Sequence, residues 1–234
     1  VPFFLQTTEI NDYGVLTDCK TNGTLYISKK VCAISAIALD KANITKFVVN
    51  NDNPSFKAID GVLYTKNGTR LVRFPNNYSK SYTIPTGVKT ISQYAFRNSE
   101  QLEEVIIPDT VTKIGEGAFY GCSSLSKISI PQKIRAIRPY TFFNCSSLKN
   151  IKLPSKLQIL GSCSFQDCKS LKTINIPKNI ESISSSAFEN SVENFKVSSE
   201  NAVYSSKNGV LYNKAQTSIK KYPCLKSGSY TFPD

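Results

Sequence analysis

The chain contains no histidine, no methionine and no tryptophan. The missing histidine excludes most: there is no imidazole to activate a serine or cysteine nucleophile, and the commonest metal ligand is gone. The seven cysteines do not make up for it, because none stands in the close Cys-x-x-Cys spacing of a zinc site. The phosphate-binding Gly-rich loops, the Gly-x-Ser-x-Gly elbow and the His-Glu-x-x-His helix are all missing. Carboxylates are in short supply as well, 17 against 29 lysines and arginines, and none recurs as an inward pair suited to acid–base work. No run approaches the ~18 apolar residues that cross a membrane. An enzyme is therefore not expected, nor a cofactor, a metal or a small-molecule substrate.

What the chain has instead is repetition. Ile84-Pro85 is followed by Ile107-Pro108, Ile130-Pro131, Leu153-Pro154 and Ile176-Pro177, each 23 residues after the last. Counting the residue before proline as zero, aliphatic side chains return at plus four (Val88, Val111, Ile134, Leu157, Ile180) and plus seven (Ile91, Ile114, Ile137, Leu160, Ile183). A small residue and a phenylalanine follow at plus eleven and twelve, with Phe96, Phe119, Phe142, Phe165 and Phe188 in successive units. Cysteine holds plus fifteen in three units (Cys122, Cys145, Cys168), leucine holds plus eighteen in four (Leu102, Leu125, Leu148, Leu171), and an aliphatic residue holds plus twenty-one. Neither the helical nor the strand period accounts for this set. A coil of short segments does, each turn pointing the same side chains inward and sharing a core with the turns it stacks on. The alternating end of Leu-x-x-Val-x-Ile is the best strand candidate, and the proline after it, which cannot donate to a ladder, ends it.

The run Leu-x-x-Ile-x-Ile-Pro-x-x-Val-x-x-Ile-x-x-x-Ala-Phe-x-x-Cys resembles the 23-residue leucine-rich repeat of the BspA-like, or Treponema pallidum-type, family. The resemblance implies a mostly-β repeat solenoid, a right-handed leucine-rich-repeat coil. It also implies a secreted or cell-surface protein of a bacterium or protist, associated with adhesion to host cells, matrix proteins or other microbes.

One domain is expected over residues 1–234. Residues 1–24 lack the repeat and read as the end of an earlier unit or as a cap. Residues 27–49 form a degenerate turn, keeping Ile27, Val31, Ile34, Ala38 and Leu39 in their places. Residues 50–83 form an insert, 84–198 hold five regular turns, and 199–231 form a second insert. The two inserts copy each other at an offset of 148 residues, each with Gly-Val-Leu-Tyr, a polar turn and an alternating stretch ending in aromatic-Pro. In the first, Gly61–Tyr64, the Asn67-Gly68 turn and Leu71–Phe74 predict a β-hairpin, and BspA-like proteins carry similar inserts. VPFFLQTTEI has no basic segment and does not read as a secretory signal. Another unit begins at Phe232-Pro233, so the chain is expected to continue.

The periodic cysteines read as a buried ladder of small apolar residues, although neighbouring rungs about 5 Å apart lie within disulfide reach. Cys19 and Cys32, flanking the first turn, are the disulfide candidates. Of five Asn-x-Ser/Thr sequons, Asn67 and Asn77 fall on expected hairpin loops and are the candidate glycan sites; the same asparagines also serve as turn residues.

Binding is left to the surface. Residues alternating with the core on each strand should line one variable face: Glu104 and Ile106, Lys127 and Ser129, Asn150 and Lys152, Thr173 and Asn175. Such an extended face is how solenoids bind partners, and the family resemblance implies a protein partner on a host or neighbouring cell. Net charge is +12, and residues 117–166 hold seven basic residues and no acidic one. Lys133, Arg135, Arg138, Lys149 and Lys156 form a candidate basic stripe for an anionic polymer such as a sulfated glycan. Nucleic acid is disfavoured, because only Tyr120, Tyr140 and Phe143 lie off the core file. A scaffold or inhibitor that sequesters a partner is the remaining alternative.

Overall fold

The structure, a computed structural model, describes residues 8–35 and 37–228. The unit expected at Phe232-Pro233 and the end of the second insert lie outside them. The chain winds as a mostly-β solenoid of about eight turns, with no helix among the described residues.

Four of the five regular turns contribute two short strands, one to each of two separate faces, and the turn at residues 130–152 forms only the second-face strand. The first face is built from the expected Leu-x-x-Val-x-Ile run. Its strand Glu104–Ile106 lies parallel between Ser81–Thr83 and Lys127–Ser129, in register Ser81, Glu104, Lys127 and Thr83, Ile106, Ser129. Further along, Thr173–Ile176 pairs parallel with Asn194–Val197. The second face comes from plus six and plus seven, as in Thr90–Ile91 beside Lys113–Ile114 and Ile159–Leu160 between Ala136–Ile137 and Ser182–Ile183. Only one residue of each such pair points inward, which leaves no alternation to read in the sequence.

Between the faces lies the phenylalanine file. Phe96, Phe119, Phe142, Phe165 and Phe188 stack with centroids 4.9, 5.4, 5.2 and 5.4 Å apart and planes within 17° of one another. All are at most 1% exposed. The small residues before them, Ala95, Ala118, Thr141, Ser164 and Ala187, are equally buried and leave the rings room. The three periodic cysteines form a second file: Cys122, Cys145 and Cys168 donate from Sγ to the carbonyls of Phe96, Phe119 and Phe142, 3.0 to 3.2 Å away in the preceding turn. The thiols are thus hydrogen-bonded and free, with no bridge between rungs.

The backbone crosses into the left-handed region at plus fourteen in all five turns, where Asn98, Gly121, Asn144, Asp167 and Asn190 stand. These are the residue types that tolerate it. The sequon at Asn144 therefore has a local reason of its own.

Three departures from the even 23-residue spacing mark the ends. Residues 15–27 make a shortened extra turn, because Val15–Cys19 pairs parallel with Ala33–Ile34 and Asn22–Ile27 pairs parallel with Asn43–Val49. Thr8–Ile10 folds antiparallel over the first of these strands and covers its edge. The register Ile27↔Val49 makes the degenerate turn 22 residues long. Ile176↔Val197 makes the last one 21, where Phe195 packs edge-on against Phe188 (5.3 Å, 79°) and ends the stack.

Each insert is a three-stranded meander, one strand more than expected. Phe56–Ile59, Val62–Thr65 and Arg70–Arg73 run antiparallel, and the last joins the second face beside Thr90–Ile91. The first corner is the two-residue loop Asp60-Gly61, both with positive φ, as a type I′ turn requires. Its copy is Asn208-Gly209 between Tyr204–Lys207 and Val210–Asn213. A buried asparagine pins each meander to the preceding turn. Asn53 donates to the carbonyls of Ser28 and Val31 and accepts from the amides of Ser55 and Phe56. Asn201 repeats the arrangement on Pro177, Lys178 and Ile180. The first meander also divides the core: Leu63 packs into the N-terminal cluster, Val62 and Tyr64 into the main one.

Candidate binding surfaces

The residues expected on the variable face do lie on the first face, but not on one continuous ladder. Glu104, Lys127 and Ile106, Ser129 form two adjacent rows, and Ile106 is 52% exposed between Thr83 and Ser129. Thr173 and Asn175 continue the rows opposite Asn194 and Lys196. Asn150 and Lys152, both exposed, fall in the one turn between them where no strand forms. The face is thus a three-stranded and a two-stranded sheet with a gap.

The basic stripe does not hold together. Lys133 and Lys156 sit exposed at the corner after the proline, where Gln132 Oε1 of one turn accepts from the Ser155 amide of the next. Arg135 and Arg138 flank the second-face strand Ala136–Ile137. Lys149, eleven residues beyond Arg138, lies next to Asn150 on the first-face side. Eleven residues is half a turn, so closeness in sequence carries it across the cross-section.

The expected Cys19–Cys32 bridge is ruled out by register. Pairing of Val15 with Ala33 sets Cys32 beside Gly14, five residues along the strand from Cys19. That is about 16 Å, against the ~7 Å that a disulfide spans. Cys19 is buried, and Cys32 is exposed and donates to the Tyr13 carbonyl. Of the two glycan candidates, Asn67 is exposed at its hairpin turn and its Oδ1 caps Thr69. Asn77 is half-buried and accepts from Gln101.

The aromatic residues off the core file form a side ladder. Tyr120 and Phe143 stack at 4.7 Å and 10°, and the Arg97 guanidinium lies over Tyr94 and Tyr120 at 5.1 and 4.9 Å. The faces of Tyr94 and Tyr120 are thus engaged by Arg97 and Phe143, while Tyr140 meets Phe143 edge-on and is 36% exposed.

One ionic cluster is nearly enclosed. Asp40 is 3.0 Å from Arg97 and 4.0 Å from Arg73, whose side chain is 9% exposed and donates to the Tyr94 carbonyl. Burial lowers the Arg73 guanidinium to about 10. Sequence reasoning missed this cluster, since Asp40, Arg73 and Arg97 stand in three different segments and only Arg97 belongs to a regular turn.

Among the described residues no group of three or more His, Cys, Asp or Glu is placed to hold a metal ion, and no helix is long and apolar enough to cross a membrane. A stack of parallel-stranded turns with a fixed interior and varied outward rows is a leucine-rich-repeat protein. The BspA type leucine rich repeat model matches residues 72–196 in six copies, and the chain belongs to that family. Solved structures agree. The pneumococcal vaccine antigen PcpA is 26% identical, with a TM-score of 0.67 over 78% of this chain and 47% of its own. A leucine rich cell surface protein from Faecalibacterium prausnitzii A2-165 is 34% identical, with a TM-score of 0.68 over 75% of this chain and 48% of its own. The chain thus spans about half the length of each. No curated protein matches it in sequence.

Proposed function

We propose that this protein is a non-catalytic recognition module displayed on or released from a cell, an adhesin-type solenoid that binds proteins on host or neighbouring microbial surfaces. The observation that carries the reading is the first face: Glu104, Ile106, Lys127 and Ser129 are set in two rows by strand register, and they vary while the residues between them stay apolar, Val105 buried and Ile128 partly buried against the core. An isoleucine half exposed between polar neighbours is what a protein contact uses at its centre. The cell-surface protein and the vaccine antigen among the similar structures point to the same compartment. Immobilised extracellular matrix proteins and whole microbial cells are the probes. Ile106→Glu/Lys127→Glu should abolish retention and leave thermal unfolding unchanged. Retention equal to that of the parent protein would sink the reading.

A second reading rests on the acid-free block at residues 117–166. Lys133, Arg135, Arg138 and Lys156 line a corner and one edge of the second face, where a sulfated glycan would replace counterions. Elution from heparin only at elevated salt, lost in Lys133→Glu/Arg135→Glu/Arg138→Glu, supports it; elution in low salt, unchanged in that variant, removes it.

A further inference from the structure

The first meander leaves a groove on the second face. It has a volume of about 690 Å³ and runs from Ala33 and Ile34 of the first full turn, past Phe56 and Arg70, to Lys113 and Arg138. Its charged lining is four cations, Arg70, Arg73, Lys113 and Arg138, against the single carboxylate of Glu116. Strand register lines the outer cations up: Arg70 pairs with Thr90 and Thr90 with Lys113, so Arg70 and Lys113 stand two strand spacings, about 10 Å, apart in one row. The nearest acid to Arg73 is Asp40, which Arg97 already holds.

One wall of the groove is a strand edge. Ala33–Ile34 is the end strand of its sheet, and Phe56–Ile59 is the end strand of the next. The amides of Ala33 and Ser35 donate to Gly14 and Leu16 on the N-terminal side. Alternate amides of a strand point to opposite sides, so the Ile34 amide points at the groove. The second meander shows what this means. There Ser182 and Ser184 donate to the preceding turn, and the Ile183 amide points the other way, onto the hydroxyl of Tyr204 at 3.1 Å. The equivalent cleft, lined by Ile183, Tyr204 and Lys221, measures about 150 Å³. At Tyr204's place the first meander has Phe56, which has no hydroxyl to offer.

We propose that the first groove binds an extended acidic segment of a protein partner, with its main chain on the Ile34 edge and its carboxylates on Arg70, Lys113 and Arg138. This is a second site, on the other face from the protein-binding reading above, and it stands independently of that reading. A polypeptide is favoured over a glycan because the edge offers a main-chain amide, and strand addition supplies the carbonyl it needs.

The probe is a fluorescein-labelled, amidated Glu-Thr-Glu-Thr-Glu-Thr peptide, read by anisotropy at low and moderate salt. Saturable, salt-weakened binding is expected. Arg70→Glu/Lys113→Glu should weaken it about tenfold or more. Phe56→Tyr, which places a hydroxyl on the Ile34 amide without changing charge, should weaken it several-fold at unchanged melting temperature. No saturable binding, or binding indifferent to both variants, overturns the groove. So does a heparin hexasaccharide that binds as tightly and ignores Phe56→Tyr, since any polyanion would then suffice. Ile106→Glu/Lys127→Glu on the first face should leave peptide binding intact. If it alone removes binding, the groove proposal fails and the first-face reading stands.

Discussion

At the scale of single residues, the thiol file shows why plus fifteen is cysteine in the middle turns. Sγ of each reaches a carbonyl of the preceding turn, 26 residues back. Serine takes the position at both ends, Ser99 and Ser191, and both hydroxyls are buried without a partner. A buried unpaired hydroxyl costs about 1–3 kcal/mol. Ser191→Cys, whose sulfur would reach for the Phe165 carbonyl, should therefore raise urea-unfolding stability by about 1 kcal/mol, and Cys145→Ser should lower it by a similar amount. Burial pushes the Cys122 and Cys168 thiols up to about 12 from 9.0 and raises Cys145 too. The unfolded chain releases these protons near pH 9 while the folded chain keeps them. Their contribution is complete below pH 9 and falls as pH rises toward 12, by about 1.4 kcal/mol per pH unit per thiol. Native protein at pH 8 should react with a disulfide reagent at the exposed Cys32 and Cys224, and at Cys122, Cys145 and Cys168 only in denaturant. Fast labelling of Cys145 would disprove the file.

At the scale of elements, the meanders are held less by their own turns than by one side chain each. Asn53 ties the first insert to the corner of the previous turn with four hydrogen bonds, all to backbone. Asn53→Ala would strand those backbone groups in a site from which water is excluded, at a cost of about 3 kcal/mol or more. Hydrogen exchange should show amides of residues 55–74 losing protection before those of the regular turns. Uniform loss along the chain would mean that the meander and the solenoid open together. Asn53 and Asn201 also show what a sequence discloses at this scale. The 148-residue offset exposes the duplicated inserts, and alternation in Leu-x-x-Val-x-Ile exposes the first-face strands. The second-face strands are two residues long and carry one inward side chain, so their pattern is indistinguishable from a corner. Asp60-Gly61 and Asn208-Gly209 hold the signal for the extra strand of each meander. The groove is written in no local pattern, because Arg70 and Lys113, 43 residues apart, become neighbours only through register. The stripe failed for the complementary reason: Lys149 is near Arg138 along the chain and half a turn away around it.

At the scale of the whole molecule, each regular turn touches little beyond the turns on either side, so stability should sum over turns and interfaces. The phenylalanine stack makes the unit of that sum visible, with 4.9 to 5.4 Å between rings and no ring shared by distant turns. Removing residues 131–153 joins Ile130 to Pro154 and excises one period without shifting any register. Phe119 then meets Phe165, and Cys168 the carbonyl of Phe119. The shortened protein should fold, with an unchanged β-type circular dichroism spectrum per residue and a lower melting temperature. Removing residues 131–142, about half a period, puts inward positions outward in every later turn and should leave the chain unfolded beyond that point. The two deletions differ by eleven residues, yet they separate a fold specified by period from one specified by composition. The full-period deletion also takes Lys133, Arg135, Arg138, Lys149 and Lys152 with it. A folded product that retains first-face binding but elutes from heparin at lower salt would assign the two surface activities to separate parts of the coil. A folded product that loses both would show that recognition depends on the exact span of the solenoid and not on its individual rows.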